Sequence, residues 1–171
     1  MVDAGRVIVI SGPPGSGKTT VSTELASRFP LAVYLATDFF FAAIVQGYVE
    51  PWKAGSHDQN QTTVTACARA VAAYAQGGYL VVVDGVVYPW ALAIYREYLG
   101  NIPLDYVILL PSLDEVLGRG LPRPNREMLD EATYRDLHAQ FERCEDAGAI
   151  VIDSTGESVE HTVEGILARV G

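Results

Sequence analysis

Cysteine is nearly missing from this chain. Cys67 and Cys144 stand far apart, with no further ligand at metal-binding spacing. That excludes a disulfide framework and a thiolate metal centre, and a reducing cytoplasm is the expected compartment. Both thiols read as small buried apolar groups, not nucleophiles. Positive charge is scarce as well: twelve Lys and Arg stand against twenty-one Asp and Glu, a net charge of −9. Such a field repels nucleic acid and anionic membrane unless the basic groups gather in one place. Long apolar runs are lacking, and none approaches the roughly 20 residues of a membrane span. The short N-terminal run Arg6–Ile10 leads straight into a glycine-rich loop, so no secretory signal is expected. Asn-Lys pairs are absent, which removes the Asn-Lys-x-Asp base-reading motif of a GTPase switch. A formal D-x-x-G, Asp153–Gly156, falls after the last strand, too late for a switch.

What is present is an alternation of strand-like and helix-like segments. Strands are expected at Arg6–Ile10, Leu31–Thr37, "YLVVVDG" (Tyr79–Gly85), Leu104–Leu110 and "AIVID" (Ala149–Asp153). The third is uniformly apolar, as for a strand covered on both sides. Helices are expected from about Lys18 to Phe29, over "FFFAAIVQ" after Asp38, from Gln59 to Gln76, after Pro89, after Ser112, and from Leu129 to Cys144. Leu92, Tyr95 and Leu99 should point inward. Ser112 with Glu115, and Ser154 with Glu157, have capping-box spacing, the second pair opening a last helix that buries Val163, Ile166, Leu167 and Val170. Strands alternating with helices predict an α/β fold, a parallel sheet with helices on both faces. A length of 171 residues fits one domain, 1–171. The longest irregular piece is Gly47–Asn60, and long loops in compact domains are often functional.

The chemistry begins at "GPPGSGKT", Gly12 to Thr19, which matches G-x-x-x-x-G-K-[ST]. Gly12, Gly15 and Gly17 let the backbone turn tightly and aim N–H groups at phosphate oxygens, with Pro13, Pro14 and Ser16 completing the loop. The helix that follows, through Thr20, adds its positive N-terminal end. Lys18 reaches the β- and γ-phosphates, and the Thr19 hydroxyl can ligate Mg2+. A strand before and a helix after give the context this motif requires. ATP and Mg2+ are therefore the expected cofactors. A ring ATPase would need a helical lid domain for which there is no length, which leaves a compact phosphotransferase.

The order of parts resembles the small P-loop kinases of metabolites and antibiotics, including gluconate-, shikimate- and adenylylsulfate-kinase-like enzymes and above all the chloramphenicol phosphotransferase-like group. The resemblance spans almost the whole chain and is strongest at Gly12–Thr19, Asp38, "VVVDG" and the arginine segment. "PWKAGSHDQN" and "GYLVVVDGVV" also resemble uncharacterised bacterial kinase-like proteins. The resemblance implies a three-layer P-loop fold with strand order 2-3-1-4-5. In the chloramphenicol-type enzymes the lid runs Gly-Arg-x-x-x-Arg-x-x-Arg, and Gly118, Arg119, Arg123 and Arg126 stand in those places, implying a short lid over about 118–128.

In the kinases it resembles, a carboxylate after the second strand accepts the proton of the attacking hydroxyl, a role Asp38 would fill beside the phosphate loop. Asp38 also suits a plain N-cap. Asp84 ends an apolar strand, the usual form of the second nucleotide motif, where it would hold Mg2+ directly or through water. It could instead face the acceptor, or serve only as a strand-end turn residue. Arg119, Arg123 and Arg126 fall within eight positions in an otherwise acidic chain. Guanidinium groups closing over a transferring phosphoryl group suit its spread charge; three solvated surface arginines are the plainer reading. Arg119 and Arg123 rank as catalytic, Arg126 as substrate-binding.

Trp52, His57, Asp58, Gln59 and Asn60 lie in or beside the loop that covers the second substrate in small kinases, and Trp52, His57 and Asn60 are the acceptor-binding candidates. Ser56 or Asp58 capping the next helix would account for the same stretch. Tyr88 and Trp90 could line this pocket or belong to the core. His138 and His161 suggest surface or packing positions. The expectation is an ATP- and Mg2+-dependent kinase of a small-molecule hydroxyl. A polynucleotide 5′-hydroxyl kinase is the alternative enzyme, disfavoured by the acidic balance. A non-catalytic ATP-binding module is the other.

Overall fold

Five apolar runs form five strands: β1 (Val7–Ser11), β2 (Ala32–Ala36), β3 (Leu80–Asp84), β4 (Leu104–Leu109) and β5 (Ile150–Ile152). The computed structural model describes residues 5–120, 130–144 and 148–171. The strands make one parallel sheet in the order β2-β3-β1-β4-β5. Between them run α1 (Lys18–Ser27), α2 (Thr37–Ala42), α3 (His57–Gln76), α4 (Pro89–Leu99), α5 (Leu113–Gly120), α6 (Glu131–Glu142) and α7 (Val159–Leu167).

The two-residue period of a strand splits the core into two layers. Val7, Val9, Val81, Val83 and Ile108 face α3, α4 and α6, against Val71, Tyr95 and Phe141. Ile8, Ile10, Val82, Val107 and Leu109 face α1 and α7, against Leu25, Val163 and Ile166. Every residue of β1 and β3 is buried, which is why these strands read as unbroken apolar runs. At the amino end of the sheet, the buried Arg6 guanidinium donates to Asp105 through Nε at 2.6 Å, with Nη2 on the same oxygen. Among the described residues no helix is long and apolar enough to cross a membrane.

Register sets up the functional edge. Asp84 pairs with Ala36 on one side and Ile10 on the other. The carboxyl ends of β2, β3 and β1 are therefore level, and Asp84 sits between the turn into α2 and the loop after β1.

Several boundaries differ from those read in the sequence. α2 stops at Ala42 and does not run to Gln46; of its six residues only Thr37 is buried, so no apolar stripe holds a longer helix. α3 starts two residues early, at His57. α5 runs to Gly120, so Gly118 and Arg119, expected in a lid from about 118, belong to a helix. α6 starts at Glu131, where Asp130 accepts from the Thr133 amide at 2.7 Å. α7 is capped by Ser158, which accepts from the His161 amide at 3.1 Å. The Ser154–Glu157 pair makes a turn instead, Glu157 N–H donating to the Ser154 carbonyl at 3.2 Å. Ser112 does act as a weak cap, accepting from the Glu115 amide at 3.4 Å, but the Glu115 side chain turns elsewhere.

Candidate active site

The loop between β1 and α1 is shaped by close approach. A Cβ on Gly12 would lie 2.2 Å from the Leu109 carbonyl oxygen, so only glycine fits against β4. Gly17 caps α1 in the left-handed region at φ 89°, which side chains rarely adopt. Lys18 Nζ donates to the Pro13 carbonyl at 2.9 Å, folding the ammonium back over the loop. Ser16 is buried and its Oγ has no hydrogen-bond partner. A buried, orphaned hydroxyl beside a helix N-terminus fits a phosphate-bearing ligand. No side chain of α1 occupies the cradle as an acid would, since its first turn carries no Asp or Glu.

Thr19 lies one residue inside α1, and its hydroxyl donates to Asp84 Oδ2 at 2.8 Å. The Tyr34 hydroxyl donates to the same oxygen, also at 2.8 Å. Asp84 is 5% exposed, and a buried carboxylate needs such donors. Burial, then the bond to Asp84, pushes the Tyr34 phenol up to about 12. The Thr19–Asp84 pair offers two oxygen ligands side by side, the number a protein commonly gives Mg2+ when phosphate and water supply the rest. No group of three or more His, Cys, Asp or Glu that could hold a metal exists among the described residues. Tyr34 escaped the sequence reading. The available signal was its place two residues before Ala36, on the face that register shares with Val82 and Asp84.

Asp38 is the second residue of α2 and lines the cleft beside Lys18, Thr19 and Asp84. It is not the N-cap: that position is Ala36, with no side-chain cap bond. Arg119 stands in the last turn of α5. Its Nη1 comes within 3.8 Å of where a Cβ on Gly17 would be, which puts the guanidinium over the phosphate loop. Glu115, one turn earlier, pairs with Arg119 through Oε1. Its other oxygen accepts from the Gly156 amide at 2.9 Å. Beyond it, Thr155 Oγ1 accepts from the Ser112 amide at 2.7 Å, and Asp153 accepts from the Thr155 amide at 2.9 Å. The Thr155 hydroxyl and amide hold the Asp153 carboxyl below its ordinary range. Glu115 thus ties Arg119 to the loop after β5, a bridge that spacing in the sequence did not reveal. Arg123 and Arg126 lie outside the described residues.

The cleft has a volume of about 1540 Å³. Trp52 and Asn60 line it. Asn60 also braces the loop before α3, its Nδ2 donating to the Pro51 carbonyl at 2.8 Å and to Ser56 Oγ at 3.1 Å. His57 is exposed in the first turn of α3 and is not among the residues that line the cleft. Ser56 precedes α3 but does not cap it with its hydroxyl, which donates to the Pro51 carbonyl at 2.8 Å. Tyr88 stacks on Phe141 at 5.0 Å, with one edge on the cleft, and Trp90 lines the cleft while 45% exposed. His138 is a packing residue, its Nε2 at 2.8 Å from the Pro111 carbonyl. His161 is exposed on α7. Burial pushes Cys67 up to about 11 and raises Cys144, so neither thiol is a nucleophile.

A family model described as an AAA domain matches residues 7–144. Among solved structures, an unliganded sugar kinase from Janibacter sp. HTCC2649 is similar at 22% identity and TM-score 0.69, covering 95% of this chain and 92% of that one. The tunicamycin resistance protein of Deinococcus radiodurans is similar at 22% identity and TM-score 0.71, covering 98% of this chain and 96% of that one. Shikimate kinase from Acinetobacter baumannii, in complex with shikimate, is similar at 23% identity and TM-score 0.64, covering 95% and 90%. At these identities the likeness shows the fold alone: a five-stranded parallel sheet with a phosphate loop after its first strand. No curated protein sequence matches the chain.

Proposed function

The chain belongs to the AAA-domain family of P-loop proteins, and on that premise we propose that it is a kinase moving the γ-phosphate of ATP to a hydroxyl of a small molecule. The observation that carries the reading is Asp38 sharing one cleft with Lys18 and Thr19. Asp84 already serves as the carboxylate toward a metal; a second carboxylate in the same cleft, opposed in charge to the phosphates, suits a proton acceptor better than a pure binding site.

Residues Gly12 to Thr20 hold the nucleotide, with loop amides and Lys18 on the β- and γ-phosphates. Thr19 and Asp84 would hold Mg2+, and Tyr34 keeps the Asp84 carboxylate turned toward Thr19. The ion would supply positive charge against the β- and γ-phosphates. Asp38 takes the proton of the acceptor hydroxyl as its oxygen bonds to phosphorus and the bond to the departing ADP oxygen breaks. Arg119 turns from Glu115 onto the transferring group, where a guanidinium is worth most as charge spreads. Arg123 is given a catalytic role with Arg119, and Arg126 a role in binding the substrate. Trp52 and Asn60, which line the same cleft, border the acceptor.

The test is transfer of labelled γ-phosphate from ATP to sugars, nucleosides, antibiotics and short oligonucleotides. A labelled small molecule, lost in Asp38→Asn, supports the reading. Labelled oligonucleotide would make the protein a 5′-end kinase, and bound but intact ATP with every acceptor would make it a binding module.

A further inference from the structure

Glu115 stands at a junction between the phosphate loop and the loop after β5. Its helix, α5, packs directly on the phosphate loop: a Cβ on Gly15 would lie 2.8 Å from the Val116 carbonyl oxygen. The start of α5 is pinned to the loop after β5, since the Ser112 amide donates to Thr155 Oγ1 at 2.7 Å. Glu115 adds a second tie there. Its Oε2 accepts from the Gly156 amide at 2.9 Å, while its Oε1 pairs with Arg119. Anchored on a backbone amide, the carboxylate does not follow the guanidinium when that group moves. Arg119 divides its two ends in a similar way. Nη2 faces Glu115, and Nη1 stands 3.8 Å from the Cβ position of Gly17. A phosphate group in this loop therefore competes with the Glu115 carboxylate for one guanidinium. To present its planar fork to that phosphate, Arg119 has to break the pair.

Resting on the kinase reading, we propose that Glu115 is a positioning residue that makes the move of Arg119 conditional on the γ-phosphate. Without nucleotide it holds the guanidinium beside the phosphate loop. With ATP, Arg119 exchanges the carboxylate for the γ-phosphate, and Glu115 stays on the Gly156 amide. Breaking the ion pair is subtracted from the binding of ATP. ADP has no γ-phosphate to draw Arg119 away and leaves the pair closed. Glu115 thereby limits how much more tightly the site holds ATP than ADP.

The test is calorimetric titration with a non-hydrolysable ATP analogue and with ADP, each with Mg2+ and with no acceptor present. Glu115→Gln removes the charge and keeps an oxygen for the Gly156 amide. The analogue should bind this variant about two- to fivefold tighter, the worth of a partly exposed ion pair, with the affinity for ADP nearly unchanged. Adding Glu115→Gln to Arg119→Ala should give no gain over Arg119→Ala alone, because the two residues act as one pair. Glu115→Ala, which also drops the tie to Gly156, should show the same dependence on Arg119. Thr155→Val cuts the other tie between α5 and the loop after β5 and should leave the affinity for the analogue unchanged. The proposal is overturned if neither Glu115 variant binds the analogue more tightly, if the gain survives without Arg119, if ADP gains as much, or if Thr155→Val tightens binding equally. No transfer to any acceptor, with this binding pattern intact, would sink the kinase reading and leave the role of Glu115 in nucleotide binding supported.

Discussion

Replacing Tyr34 with Phe removes one hydroxyl and leaves the ring in place. In the wild type that hydroxyl donates to Asp84 Oδ2 at 2.8 Å, beside Thr19 at the same distance. The variant leaves a nearly buried carboxylate with one donor fewer. A hydrogen bond to a charged group contributes about 1.5–3 kcal/mol, and Tyr34 is only half-buried, so the lower end, about 1.5 kcal/mol, applies. For a chain of this length that is a fall of about 3–6 °C in Tm. The pH dependence gives a second readout. The folded-state phenol is raised to about 12 from an ordinary 10.0. A raised pKa adds stability that is complete below the unfolded value and lost as pH climbs through the folded one. The stability gap between wild type and Tyr34→Phe should therefore hold at neutral pH and shrink between pH 10 and about 12. Thermal unfolding across this range, with and without Mg2+ and ATP, is the assay. The variant should also lose more affinity for ATP with Mg2+ than for ATP without it, because Asp84 is less firmly turned toward Thr19. An unchanged Tm, or a gap that does not close at high pH, would refute the role given to Tyr34.

Lys18→Ala should weaken ATP binding at least tenfold and abolish transfer, since the ammonium folded over the loop is the described cation of the cleft; calorimetric titration with ATP checks this, and unaltered affinity would contradict the phosphate-loop account. Gly12→Ala forces a Cβ to 2.2 Å from a backbone oxygen at φ 142°, so about 3 kcal/mol of destabilisation is expected from overlap and strain together, read by urea unfolding. Asp105→Ala strips a 9%-exposed Arg6 side chain of its partner and should cost about 3 kcal/mol, with much of the loss recovered by pairing it with Arg6→Met.

The sheet was legible because β1 and β3 are buried at every position and apolar at all but the last, Ser11 and Asp84, as in short strands covered on both faces. The phosphate loop was legible because its glycines answer local backbone demands. What escaped depends on residues distant in sequence. Tyr34 reaches Asp84 across 50 positions, and Glu115 reaches Gly156 across 41; register and helix packing create both contacts. The Ser154–Glu157 spacing was misleading for a related reason. It has capping form, but the chain turns at Ser154 and leaves Ser158 four residues on to cap α7. His57 fell where the loop was expected to continue, but it opens α3.

The central claim is that Asp38 is the base for phosphoryl transfer within a cleft that holds ATP. The measurement that tests it most directly compares wild type and Asp38→Asn in one preparation, with ATP affinity by calorimetry and labelled γ-phosphate transfer to the best acceptor found. The account predicts ATP affinity within about twofold and transfer reduced by 10²–10⁴, the usual contribution of a positioned base. Transfer at the wild-type rate with Asn at position 38 would contradict it.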